Sequence, residues 1–111
     1  MKNITLFASI LVMVVFSLSA VAGDNRLIDA IQHTKRAVTA VDGMDVAKHA
    51  EMAKNHANAA KADKHNKYDN KKMDDGIKCL DGAIREGMDG NAEAARKAAN
   101  DALKHFTEVT N

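Results

Sequence analysis

With 111 residues, no proline, one cysteine and 28% charged residues, the sequence has room for one small domain and cannot build a disulfide framework. Over residues 23–111 the lysines and arginines equal the 15 acidic residues, so the formal net charge there is zero. That balance removes the electrostatic case for nucleic acid or an anionic membrane surface as a partner.

Residues 1–22 read as a secretory signal peptide. Lys2 gives a positive start, Ile4–Leu18 is an apolar run, and Ala20-Val21-Ala22 is a small-x-small cleavage signal before Gly23. The run is short for a membrane span and no second one follows it. The expected product is residues 23–111, periplasmic or secreted, with no membrane attachment after cleavage.

Within that product the β-branched residues never alternate with polar ones over a strand's length, whereas apolar residues recur at helical spacing. The pattern predicts four helices. The first covers 25–41, with Leu27, Ile31, Thr34, Val38 and Val41 on its inner face, and Asp42-Gly43 ends it. The second covers 45–65, with Asp45 as N-cap and a seam of Val46, Ala50, Ala53, Ala57 and Ala60. A polar connection, Asn66–Lys72, leads to a third helix over 75–86 with Ile77, Leu80, Ala83 and Ile84 inward. After the turn Gly87-Met88-Asp89-Gly90, a fourth helix covers 91–109, with Ala92, Ala95, Ala99, Ala102, Leu103, Phe106 and Val109 inward. Short turns within each pair predict an all-α, up-down-up-down antiparallel four-helix bundle. Its core is thin, because alanine fills many seam positions and only Tyr68 and Phe106 are aromatic after residue 22.

The helices share an imperfect repeat. Asp29-x3-His33, Asp45-x3-His49 and Asp75-x3-Cys79 each place an acid one turn before a ligand-type side chain, which a core position follows. Ala98 fills that slot in the fourth helix. Seven residues on comes a second slot, holding Ala40, His56, Glu86 and His105 in turn. Four of the five histidines therefore occupy equivalent positions at the edge of the seam. An Asp and a His at i and i+4 share a face, so the pair can chelate a divalent ion or the carboxylate can orient the imidazole. His49 and His56 are about 10 Å apart along one helix, so an ion must draw on ligands from more than one helix. Met52 lies between those two, and a thioether beside imidazole suits copper. His65 and Asp69 form a weaker pair near the connection. Against ligation, Asp45 and Asp75 also suit helix caps, Asp29 suits a first turn, and a histidine at a seam is commonly a boundary residue.

Val46–Ala60 (VAKHAEMAKNHANAA) and Gly76–Phe106 (GIKCLDGAIREGMDGNAEAARKAANDALKHF) carry a resemblance to the SmbP-like family, histidine-rich four-helix proteins of the bacterial periplasm. The resemblance implies binding of divalent metals, copper prominently, to buffer or scavenge them. His33, His49, His56 and His105 stand where the family's repeat calls for histidine, whereas Ala40, Cys79, Glu86 and Ala98 replace it. Fewer or weaker sites than in a typical member are expected.

The leading expectation is non-catalytic binding of copper, nickel or zinc by His33, His49, His56 and His105, aided by Asp29, Asp45 and Cys79. The other reading is a structural or protein-interaction bundle that has lost its metals. Cys79, alone, is then an idle buried thiol or a bridge between two copies of the chain in a homodimer. No Cys-x-x-Cys-His, Glu-x-x-His, Gly-rich phosphate loop or His-Glu-x-x-His occurs, so enzyme chemistry is not expected.

Overall fold

The computed structural model describes residues 26–63 and 67–109; the stretch 1–22 read as a signal peptide and His65 lie outside them. Those residues form four α-helices and, among them, no strand: α1 (Arg26–Thr39), α2 (Gly43–Ala62), α3 (Asn70–Met88) and α4 (Ala92–Glu108). Helix α1 packs on α2 and α4, α2 on α3, and α3 on α4, with α2 also meeting α4 across the bundle. The α1–α2 and α3–α4 turns meet at one end of the molecule. There the backbones of Gly43 and Gly87 come so close that a Cβ added to Gly43 would lie 2.8 Å from the Gly87 carbonyl oxygen. The fold is thus the antiparallel four-helix bundle that the periodicity predicts. None of the described helices is long and apolar enough to cross a membrane.

Each boundary has a local cause. Asp42, not Asp45, caps α2, its Oδ1 accepting from the Met44 amide at 3.1 Å. Asp69, not Asp75, caps α3, accepting from the amides of Lys71 and Lys72. The last three residues of the polar connection read from sequence, 70–72, are therefore helix. Met73, fully buried, extends the Ile77–Leu80 stripe one turn toward the N-terminus and explains why. Helix α1 stops at Thr39, so Val41 leaves the inner face expected for it and is 86% exposed. The carbonyls of Ala40 and Val41 instead accept from Arg96 Nη1 of α4, at 3.1 and 2.9 Å. This contact ties the first turn to the second hairpin.

Alanine dominates the core. Ala30 and Ala37 of α1, Ala50, Ala53, Ala57 and Ala60 of α2, Ala83 of α3, and Ala95, Ala99 and Ala102 of α4 are all buried, around Leu27, Val46, Met73, Leu80 and Phe106. Ile31, Val38, Ile77 and Ile84 only flank this core, half-buried. Thr34 is buried among them because its hydroxyl donates to the Ala30 carbonyl at 2.7 Å. Small side chains let the helix axes approach, and where the room is least glycine takes over. A Cβ on Gly76 would fall 2.5 Å from the Phe106 ring. Lys54–Asp81 and Lys61–Asp74 lace the exposed edge of the α2–α3 contact.

Two glycines of α3 should therefore respond in opposite directions. Gly82→Ala meets only the Ala98 Cβ, at an ordinary 3.8 Å; it should raise stability by about 0.5–1 kcal/mol through helix propensity. Gly87→Ala drives a methyl into the Gly43 carbonyl and Ala47; it should cost about 1–3 kcal/mol. Urea unfolding of both variants measures the difference, and equal shifts would contradict the close approach of the two turns.

Candidate metal site

The antiparallel pairing of α1 and α2 brings the first histidine slot of α1 onto the second slot of α2. His33 and His56 lie with ring centroids 5.1 Å apart and planes within 5° of parallel. Asp29, one turn before His33, points the same way, and its Oδ2 is 4.0 Å from His56 Nδ1. That separation is too long for a hydrogen bond. His49 stands further along α2, with Asp45 one turn before it and Arg36 of α1 close enough to act on both His33 and His49.

Burial is what gives this group its character. His33 is pushed down to about 4, first by burial and then by His56, Arg36 and His49, with Asp29 opposing. Burial also lowers His49, helped by Arg36 and Lys48, while Asp45 acts the other way. Both imidazoles are thus neutral at pH 7, the form that offers a lone pair to a metal. Asp29 Oδ1, His33 Nδ1 and His49 Nδ1 are all buried with no hydrogen-bond partner. An unpartnered buried polar atom costs about 1–3 kcal/mol, and here three such atoms sit along one helix–helix seam.

As it stands the group is not a closed cage. Among the described residues, no three His, Cys, Asp or Glu side chains are placed to hold one ion together. A metal lies in the plane of each imidazole that binds it, so two parallel stacked rings must turn before both can face one ion. Both side chains are half-buried, at the edge of the bundle rather than in its core.

The other candidate residues lie elsewhere. Cys79 belongs to the second hairpin; burial, Asp101 and Asp75 raise its thiol, so it is protonated at neutral pH. His105 is half-buried next to Phe106 and is not among the groups that shift His33 or His49. Glu86 accepts a hydrogen bond from Asn91 Nδ2 at 2.9 Å, which engages it in the α3–α4 turn. Two residues passed over in the sequence matter here. Arg36, one turn beyond His33, adds to the effect of burial in lowering both His33 and His49, and its signal was the i, i+3 spacing. Asp101 faces Cys79, and Asp101-x3-His105 repeats the acid–histidine spacing of the other helices.

His33 makes stability depend on pH. Its folded value of about 4 lies below the ordinary 6.5, so between those limits the unfolded chain takes up a proton that the folded chain refuses. Stability from this group is full above pH 6.5, declines as pH falls toward 4, and then levels off. Urea midpoints measured from pH 7.5 to 3.5 should drop across that window, and less so in His33→Gln. Equal slopes for both proteins would contradict the burial of a neutral His33.

In comparison with known proteins, a family model described as "Small metal-binding protein" matches residues 1–109. No curated protein matches the chain.

Proposed function

This chain belongs to the small metal-binding protein family, and we propose that it binds a divalent transition-metal ion between α1 and α2, with His33 and His56 as ligands and Asp29 as third donor. His49, backed by Asp45, is the next donor along the seam. Imidazole with carboxylate suits Cu(II), Ni(II) or Zn(II), with copper first in the general affinity order. The role is to buffer or scavenge the ion in the periplasm, without catalysis.

The observation that carries this reading is the set of unpartnered buried atoms, Asp29 Oδ1, His33 Nδ1 and His49 Nδ1, beside the His33–His56 stack. A purely structural seam would gain by replacing these groups with apolar ones. A family whose model is named for metal binding supplies the reason to keep them. Because the ion would bridge two helices of a bundle with a thin core, its binding free energy also adds to the stability of the fold.

A second reading, a bundle that has kept its fold and lost its metals, draws on Ala40 and Ala98 in ligand slots and on Glu86 being held by Asn91. Calorimetric titration with Cu(II), Ni(II) and Zn(II) at pH 7 separates the two. His33→Ala or His56→Ala should each weaken binding by at least about tenfold and Asp29→Asn by about 10–100-fold, in line with removing a ligand or its support. His105→Ala should change it less than threefold. Wild-type affinity in the His33→Ala/His56→Ala double variant would favour the metal-free reading.

A further inference from the structure

Methionine, usually a core residue, is mostly at the surface here. Of the four in the described residues, Met73 is buried, whereas Met44, Met52 and Met88 are 58%, 41% and 64% exposed. Two of the exposed ones are brought together by the fold. The tripeptide Gly-Met-Asp occurs at 43–45 and again at 87–89, at the start of α2 and at the end of α3. Gly43 and Gly87 are in backbone contact, so Met44 and Met88 leave neighbouring points of the main chain. Both line one cavity of about 290 Å³ between α2 and α3, which Asp45, Lys48, Glu51 and Ile84 also border.

A thioether is uncharged, polarisable and a weak hydrogen-bond acceptor. It adds little to the holding of a hard cation, but it is a preferred donor for soft ions such as Cu(I). Two thioethers from separate helices on one solvent-open wall, beside two carboxylates and a single ammonium, make a donor set of that type. We propose that Met44 and Met88 form a second metal site, for a soft monovalent cation of the Cu(I) class, with Asp45 and Glu51 offsetting its charge. Its two thioether donors belong to neither the His33–His56 pair nor Asp29, although Asp45 borders both this cavity and His49, and it differs from that pair in donor chemistry. It sorts ions by oxidation state, taking the reduced ion where imidazole and carboxylate take the divalent one. Lys48 does not prevent this, since its long stem can lie along the apolar wall while its ammonium stays in water.

Silver(I), which shares the charge and softness of Cu(I) and is stable in air, is the probe. It is titrated into protein carrying Cys79→Ser, which removes the competing thiol, and read by the 13C-methyl resonances of methionine. The methyls of Met44 and Met88 should shift together and saturate at one ion per chain, while Met73 stays in place. Met44→Leu/Met88→Leu keeps the apolar bulk and should weaken this binding at least tenfold. His33→Ala/His56→Ala should leave the methyl shifts unchanged, so this proposal and the divalent-metal reading can fail separately. Met52 moving in step with Met44 and Met88 without saturation would overturn the site, as would undiminished binding in the double leucine variant.

Discussion

Alanine on the helix seams is the constraint from which the rest of this molecule follows. Where larger bundles fill the space between helices with leucine, this one buries Ala30 and Ala37 against Ala50, Ala53, Ala57 and Ala60. A methyl group contributes little apolar area, so the core alone is a modest source of stability. What alanine does provide is proximity. With so little bulk between the axes, side chains at the edge of the seam are pressed against those of the neighbouring helix, and the repeat places histidine at that edge. The His33–His56 stack and the buried nitrogen of His49 result from close packing as much as from the choice of ligand.

The hairpin geometry also explains why a repeat with several slots yields one paired group. An antiparallel pair sets the first slot of one helix near the second slot of its neighbour. In the first hairpin that juxtaposes His33 and His56; the other combination would set Ala40 toward the His49 end of the seam. The second hairpin carries Cys79 with Asp101 close by, Glu86 tied to Asn91, Ala98 and His105, so its slots set no histidine against another histidine. With histidine in only four of the eight slots, one histidine–histidine pair forms across the two hairpins. Binding that needs donors from two helices is lost faster than the count of histidines suggests.

The bundle was legible in the sequence because helical periodicity, Asp-Gly turns and the absence of strand patterns all agree. Helix ends were less so, since several aspartates compete for the same cap. Asp42 and Asp45 both precede an apolar stripe, and the hydrogen bond from the Met44 amide to Asp42 shows which one starts α2. The loss of Asp75 as a cap has a consequence for the repeat. Placed inside α3, that carboxylate no longer has a helix end to explain it, and it helps raise the Cys79 thiol one turn on. The His33–His56 contact was only half legible: spacing put both residues on seam edges, but the register between α1 and α2 depends on how far alanine lets them slide together. Arg36 was hidden for a related reason, since a basic residue on a helix surface looks like solvated charge until the neighbouring helix brings His49 within its reach.

On the proposed reading, His33 and His56 act as a pair that trades stacking on each other for a shared ion. The most direct measurement is a titration with Zn(II) at pH 7, followed through the imidazole 15N resonances of all the histidines. His33 and His56 should shift first and together, complete at one equivalent, with His105 left near its starting position. Shifts beginning at His105, or His33 and His56 unmoved after one equivalent, would contradict it.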